Sequence, residues 1–232
     1  MTVAAVVPAA GRGERLGPGV PKALRLVGGV PMLVHAVRAL SEARLVDVVV
    51  VAAPPGGEAE VTASLRSHDA PTEVRVVTGG ATRQESVRLA LESLGPDVAV
   101  VLVHDAARPL APSQLADDVA QAVLRGADAV VPVLPVADTV KRVDDEGRVL
   151  ETPRRAGLVS VQTPQGFSRD VLAAAHEAAV IDGHEATDDS SLVERLGKPV
   201  VTITGSDEAF KVTRPVDLLL ADAVLRSRRA HA

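Results

Sequence analysis

Six short runs rich in valine recur along this chain, at residues 3–7, 48–51, 74–77, 98–103, 129–133 and 200–203, with helix-length segments between most of them. A strand that is apolar at nearly every position, rather than at every second one, is buried on both faces. The fold that covers both faces is a mostly parallel sheet with helices on each side. The intervening segments 32–42, 58–66, 82–94, 113–125, 169–182 and 215–226 read as those helices, several opening on Ser, Thr or Pro and closing on Gly as helix ends prefer. The expected class is α/β, a Rossmann-like sheet in a single domain over residues 1–232.

One stretch breaks the alternation. Residues 136–159, VADTVKRVDDEGRVLETPRRAGLV, carry two polar, β-prone runs on either side of Asp144-Asp145-Glu146-Gly147. This is a hairpin pattern with a Gly-containing loop, and it has too few apolar residues to be covered on both faces. It should project from the sheet, either as a mobile surface hairpin or as an arm resting on a second subunit.

The composition narrows the partners. With 47% hydrophobic and 24% charged residues the chain is of the soluble globular kind, and a net charge of −5 gives no bulk field for nucleic acid or an anionic membrane. An anion must therefore be met by a local cluster of cations. The only aromatics are Phe167 and Phe210, too few for the stacking platforms of single-strand binders. Cysteine is absent, which removes disulfides, thiolate nucleophiles and Cys-ligated zinc, and suits a reducing compartment. No basic residue precedes the apolar stretch within residues 1–10, and no apolar run approaches the ~20 residues of a membrane span. The expected location is the cytoplasm.

Ligands in open α/β sheets sit beyond the carboxyl ends of the strands, and the first strand runs into VVPAAGRGERLGPGVPKAL, residues 6–24. Gly11 and Gly13 offer bare backbone amides to an anion, and Arg12, Arg15 and Lys22 supply fixed charge. A dinucleotide fingerprint would need Gly where Leu16 stands, and a P-loop would need Gly-Lys-Ser/Thr. What remains is a loop suited to a polyphosphate whose charge moves during reaction, or else a glycine turn with solvated cations.

Further candidates lie at other strand ends. In VHDAARPL, Asp105 can hold a hard divalent cation, or pair with Arg108 or cap the following turn. In TGGATRQESV, residues 78–87, Gly79-Gly80 bring a ligand close to main chain, and Ser86 can exchange a hydrogen bond with a flat polar edge or cap the helix that also carries Arg83. Thr187-Asp188-Asp189 reads as a helix start, and Lys211 precedes a Pro-initiated helix from which a cation can reach the sheet edge. The six histidines show no metal spacing, and neither Ser86 nor Ser190 has an evident His partner. Direct transfer without a covalent intermediate is favoured.

Taken in order, these motifs resemble the 2-C-methyl-D-erythritol 4-phosphate cytidylyltransferases of the non-mevalonate isoprenoid pathway, from about residue 3 to residue 220. The marks are Pro8-Ala9-Ala10-Gly11-x-Gly13-x-Arg15 with Pro21-Lys22, Gly79-Gly80-x-x-Arg83-x-x-Ser86-Val87, and His104-Asp105-Ala106-Ala107-Arg108-Pro109. They continue with Asp138-Thr139-Val140-Lys141, Arg155-x-Gly157-Leu158, Thr163-Pro164-Gln165, Thr187-Asp188-Asp189 and Lys211-Val212-Thr213-x-Pro215. Ala209 stands two residues before Lys211 where many relatives carry Asn, so Phe210 is expected to brace the segment by packing. The tail, residues 226–232, lies beyond the resemblance and is expected to be disordered.

The resemblance implies a nucleotidyltransferase fold and a reaction in which the phosphate of methylerythritol phosphate attacks the α-phosphorus of CTP and releases pyrophosphate. Arg15 and Lys22 would stabilise charge on the α-phosphate, an effect worth about 3–4 kcal/mol per donor. A phosphate monoester is already largely ionised at neutral pH, so a general base is scarcely needed. Ala9, Ala10, Gly11, Gly13, Gly80, Ala81 and Ser86 would bind the nucleotide, with Asp105 near Mg²⁺. Arg155 and Lys211 would grip the acceptor phosphate, supported by Thr139, Arg108, Thr163 and Thr187. The resemblance further implies a homodimer in which residues 136–158 form an arm that completes the partner's site. A cytidylyltransferase for another polyol phosphate, such as ribitol 5-phosphate, is the nearest alternative. A non-catalytic nucleotide-binding regulator would keep the glycines but not Arg15, Lys22 and Lys211 together.

Overall fold

A computed structural model of the chain describes residues 1–11, 21–66 and 70–230. In chain order the first half comprises β1 (Thr2–Pro8), β2 (Leu26–Val27), β3 (Val30–Pro31), α1 (Met32–Ser41), β4 (Val48–Ala53), α2 (Glu58–Arg66), β5 (Glu73–Thr78), α3 (Arg83–Glu92) and β6 (Val98–Val103). The second half comprises α4 (Ser113–Leu124), β7 (Ala129–Pro135), β8 (Arg142–Val143), β9 (Val149–Glu151), β10 (Val159–Val161), β11 (Gln165–Ser168), α5 (Arg169–Ile181), α6 (Asp189–Arg195), β12 (Val200–Thr204) and α7 (Pro215–Ala230). Each of the six valine-rich runs is a strand of the main sheet, and each expected helix is present. The tail differs from expectation: α7 continues the helical pattern through Ala230, packing Ala221, Val224 and Leu225 against Val27, Met32 and Val212.

The main sheet has the order β10-β7-β11-β6-β1-β4-β5, with β12 also paired to β7. Strands β6, β1, β4 and β5 are parallel neighbours, so their carboxyl ends share one edge. Side chains of β1 alternate between two cores. Val3, Ala5 and Val7 face Leu33 and Val37 of α1, Val61 of α2 and Val119 of α4, while Ala4 and Val6 face Val87 of α3, Leu172 of α5 and Leu192 of α6. Covering both faces is what demanded apolar residues at consecutive positions, each worth about 1.5–3 kcal/mol for a fully buried large aliphatic.

The departure from a parallel sheet is β10 and β11, which both run antiparallel to β7. Val161 lies opposite Val133 and Gly166 opposite Val130, so five positions on one strand span three on the other. The two extra residues are taken up around Thr163–Pro164, and β11 then continues between β7 and β6, with Gln165 opposite Val103. This insertion brings Thr163 to the carboxyl end of β6.

The hairpin forms as expected. Strands β8 and β9 pair antiparallel, and every residue of both is exposed. Asp144 Oδ1 accepts from the amides of Glu146 (3.1 Å) and Arg148 (2.9 Å), and Gly147 turns the chain at φ +80°.

Candidate active site

The carboxyl edge of β1 and β6 opens into a cleft lined by Ala9, Ala10, Gly11, Lys22, Arg83, Asp105, Ala106 and Lys211. An adjoining recess is lined by Arg83, Asp105, Arg108, Gln162, Thr163, Thr187, Asp188 and Lys211. Three residues, Arg83, Asp105 and Lys211, line both, and Asp105 is the one carboxylate among them. A larger cavity of about 400 Å³ between α1, α2 and β5 carries no carboxylate among its described residues and none of the expected motifs.

Asp105 is the hub. Lys211 Nζ lies 2.7 Å from Asp105 Oδ2, and Arg83 Nε lies 3.1 Å from Asp105 Oδ1. The pairing of Asp105 with Arg108 left open by the sequence is not the one formed: Arg108 donates instead to the carbonyls of Ala209 (2.6 Å) and Val161 (3.1 Å), tying β10 to the segment before Lys211. Burial alone would raise the Asp105 carboxyl, but Arg83 and Lys211 outweigh it and hold the group well below the usual aspartate range. The Arg83 guanidinium is likewise opposed by burial and is raised by Asp189 and Asp105. Val212 N donates to Ala107 O at 2.8 Å, which clamps the Lys211 segment onto the loop after β6. Phe210 packs at the edge of the cluster formed by Val27, Met32 and Leu110, the bracing expected in the absence of Asn at position 209.

Behind Asp105 the hydrogen bonds have one direction. His104 Nε2 meets the Arg108 carbonyl at 3.2 Å, and since a carbonyl only accepts, Nε2 carries the hydrogen. Burial pushes His104 down to about 4, with Asp105 acting in the opposite sense, so at neutral pH the ring is uncharged and Nδ1 accepts. Thr163 Oγ1, 3.1 Å from Nδ1, is therefore the donor there, and it accepts from Asp105 N at 3.0 Å. The hydroxyl proton of Thr163 is thus committed to His104, and Thr163 shapes the loop that presents Asp105.

Gly79 and Gly80 are buried beside the cleft. A Cβ on Gly79 would lie 2.8 Å from Ala53 O and 3.0 Å from Ser86 Oγ. Ser86 is fully buried: its hydroxyl accepts from Gly80 N (3.1 Å) and donates to Thr82 O (2.8 Å). The Ser86 hydroxyl thus holds the Gly80 backbone beside the cleft. Thr82 caps α3 by accepting from Glu85 N, and the Glu85 carboxylate accepts from Ala81 N at 2.7 Å. Asp188 rather than Thr187 caps α6, accepting from Ser191 N, and its other oxygen takes Gln165 Nε2 at 2.7 Å. That leaves Thr187 exposed on the recess.

Of the expected site residues, Ala9, Ala10, Gly11, Lys22, Asp105 and Lys211 converge on the cleft, and Arg108, Thr163 and Thr187 on the recess. Gly13 and Arg15, with Arg12, lie outside the described residues. Gly80, Ala81 and Ser86 flank the cleft without lining it. Thr139 and Arg155 are exposed on the projecting arm, where Arg155 donates to Ala137 O at 2.6 Å, and neither lines the cleft of its own chain. Arg83 is the residue missing from the expected set. Its signal was present as the fifth position of Gly79-Gly80-x-x-Arg83, and it was passed over for Ser86.

The family model for 2-C-methyl-D-erythritol 4-phosphate cytidylyltransferase matches residues 3–227. The chain belongs to this family. A relative from Streptomyces avermitilis named 2-C-methyl-D-erythritol 4-phosphate cytidylyltransferase is 57% identical over 98% of this chain and 93% of its own length. One of the same name from Frankia casuarinae is 60% identical over 96% of this chain and 81% of its own. The solved cytidylyltransferase of Thermus thermophilus superposes with a TM-score of 0.79 at 39% identity, covering 97% of this chain and 100% of that one. The 4-diphosphocytidyl-2C-methyl-D-erythritol synthase of Anaerococcus prevotii gives 0.84 at 29% identity, covering 97% and 96%. The fold is that of these cytidylyltransferases.

Proposed function

We infer that this chain transfers the cytidylyl group of CTP to 2-C-methyl-D-erythritol 4-phosphate, giving 4-diphosphocytidyl-2-C-methyl-D-erythritol and pyrophosphate. The observation that carries the reading is the convergence of Lys22 and Lys211 on a cleft floored by the chain at Ala9–Ala10–Gly11, within a fold whose family match spans residues 3–227. A phosphate oxygen of the acceptor forms a bond to the α-phosphorus of CTP as the bond to the leaving pyrophosphate breaks. Both reactants are anions, so cations fixed at the cleft lower the repulsion between them and stabilise charge on the nonbridging oxygens. Lys22, with Arg15, takes that role; Lys211 meets the acceptor phosphate at the side of the cleft shared with the recess.

Asp105 fits a magnesium ion in one way only. Among the described residues there is no group of three or more metal-ligating side chains, so the protein offers one hard carboxylate and the substrate phosphates must supply other ligands, as is usual for Mg²⁺ at nucleotides. Asp105 would hold the ion, which would neutralise phosphate charge when bound.

The 136–158 arm is a dimerisation element in this reading. Val140, Val143, Val149, Leu150, Val159 and Val161 on and beside it are exposed apolar side chains, and a second copy covers them. The partner's arm then brings Thr139 and Arg155 to a cleft that its own chain leaves without them. Residues 1–232 otherwise act as one nucleotidyltransferase domain, and no helix among the described residues is long and apolar enough to cross a membrane. Pyrophosphate release from CTP with 2-C-methyl-D-erythritol 4-phosphate, compared with ribitol 5-phosphate, tests the assignment. Preference for ribitol 5-phosphate would overturn it.

A further inference from the structure

One ionisable side chain deep in the molecule has no part in the chemistry above. His176 lies in α5 among Leu172, Ala175 and Ala179, the stripe that packs onto the sheet, and it is 1% exposed. A polar ring in an apolar stripe is costly unless its nitrogens are bonded. One of them is not: Nδ1 has no partner. The whole polar content of His176 is therefore a single bond, from Nε2 to Asp189 Oδ1 at 3.0 Å. A carboxylate only accepts, so Nε2 is the donor.

That bond begins a chain of alternating partners. Asp189, itself 1% exposed, uses its second oxygen, Oδ2, to take Arg83 NH1 at 2.7 Å. Arg83 turns Nε to Asp105 Oδ1 at 3.1 Å, and Asp105 Oδ2 takes Lys211 Nζ at 2.7 Å. Each group in the middle has two polar partners, and the position of each depends on both. Arg83 can pair with Asp189 through one nitrogen, as here, or through two in the parallel fork that guanidinium and carboxylate favour. Here His176 draws on Oδ1 from its own side, and Arg83 meets Oδ2 alone. Held to Oδ2 alone, Arg83 keeps Nε for Asp105.

We propose that His176 is a positioning residue for the acceptor end of the cleft, acting through Asp189 and Arg83 to fix the Asp105 carboxylate against Lys211. Without the imidazole, Asp189 presents both oxygens to Arg83, the guanidinium turns to meet them, and Asp105 and Lys211 lose their common restraint. The inference rests on the transfer reaction proposed above for its kinetic readout, while a geometric readout stands apart from it.

The variants are His176→Leu, which removes the donor, and His176→Gln, whose amide N–H can reach the same oxygen. With wild-type turnover as the control, His176→Leu is expected to raise the KM for 2-C-methyl-D-erythritol 4-phosphate about tenfold and the KM for CTP less than about twofold, with His176→Gln close to wild type. In a Lys211→Ala background the His176→Leu effect on the acceptor KM should vanish, as for groups acting in one chain. A histidine that only fills space would lower Tm in both variants and leave the ratio of the two KM values unchanged. That result, or full additivity with Lys211→Ala, overturns the proposal. Should His176→Leu not fold, His176→Asn, with its shorter reach, must show the same rise beside a normal His176→Gln. A crystal structure of the donor-deleted variant decides the matter without turnover: Arg83 is expected in a two-point contact with Asp189 and withdrawn from Asp105, and an unmoved Arg83 would refute the inference. Absence of pyrophosphate release by the wild type would refute the reaction alone.

Discussion

Lys211 Nζ and Asp105 Oδ2 meet at 2.7 Å across the mouth of the cleft, although the two residues come from segments with no strand pairing between them. The contact joins the loop after β6 to the turn before α7, and the clamp from Val212 N to Ala107 O keeps the two in register. In the resting protein the carboxylate thus balances a cation that an incoming phosphate would otherwise attract. Replacing Asp105 with Asn is expected to tighten binding of inorganic phosphate or the acceptor while lowering turnover, because the cation is left unopposed and the one hard carboxylate of the site is gone. Calorimetry with the acceptor and steady-state kinetics check the two halves separately.

Lys22 lines the same cleft. Removal of a charge-stabilising donor typically costs a hundredfold to a thousandfold in rate, so Lys22→Ala should lower kcat by about that factor and change CTP affinity much less. Near-normal turnover would remove Lys22 from the mechanism.

Arg155 lines neither the cleft nor the recess of its own chain, and in the proposed dimer its loss and the loss of Lys22 fall on different subunits of one site. Arg155→Ala is expected to raise the KM for the acceptor more than that for CTP. Random mixing of equal amounts of Arg155→Ala and Lys22→Ala protein makes half the dimers hybrid, each with one intact site, restoring about a quarter of wild-type activity. No recovery after proven subunit exchange would count against shared sites.

Gly79 is held where a methyl group would strike the Ala53 carbonyl, a backbone atom that cannot turn aside. Gly79→Ala should destabilise by about 1–3 kcal/mol, read as a fall in Tm or in the urea midpoint.

Acid stability should fall in two windows. His104 is pushed down from its ordinary 6.5 to about 4, so between those values the unfolded chain binds a proton that the folded one does not, and stability decreases as pH falls from about 6.5 to about 4. Asp105 and Asp189 are both held below the ordinary 3.8, despite burial, chiefly by Arg83. Their contribution is full above that value and is lost as pH falls further, through their folded values. Urea melts across pH check this, and His104→Asn should flatten the upper window while leaving the lower one.

The strands that could be read from the sequence are those whose burial is settled by their own residues. In β1 and β4 every interior position is apolar because helices lie above and below, and that pattern needs no knowledge of the rest of the chain. Gln165–Ser168 gave no such signal: QGFS is short and mostly polar, and it is a strand because a slot between β6 and β7 supplies its partners. The cleft was legible to the same extent. Ala9, Gly11 and Asp105 follow the ends of strands that could be counted and Lys22 belongs to the glycine-loop motif, whereas the partners of Arg83 lie 22 and 106 residues away, on the loop after β6 and on α6, and are brought together only by the fold. The bond from Gly80 N to the Ser86 hydroxyl was hidden for the same reason, since only the folded turn brings the two together.

The slip beside Thr163–Pro164 divides the molecule's labour. The loops after β1 and β6 that line the cleft grow from parallel strands, whereas Thr163 and Gln165, which line the recess, stand where the chain passes from β10 to β11 in the antiparallel part of the sheet. In the proposed reaction the recess takes the alcohol, so substitutions at Gln162 or Thr187 reshape that chamber without touching the loop after β6, whereas Thr163, which accepts from Asp105 N, ties the two chambers together: a change of acceptor has a short route through sequence only where it spares that bond.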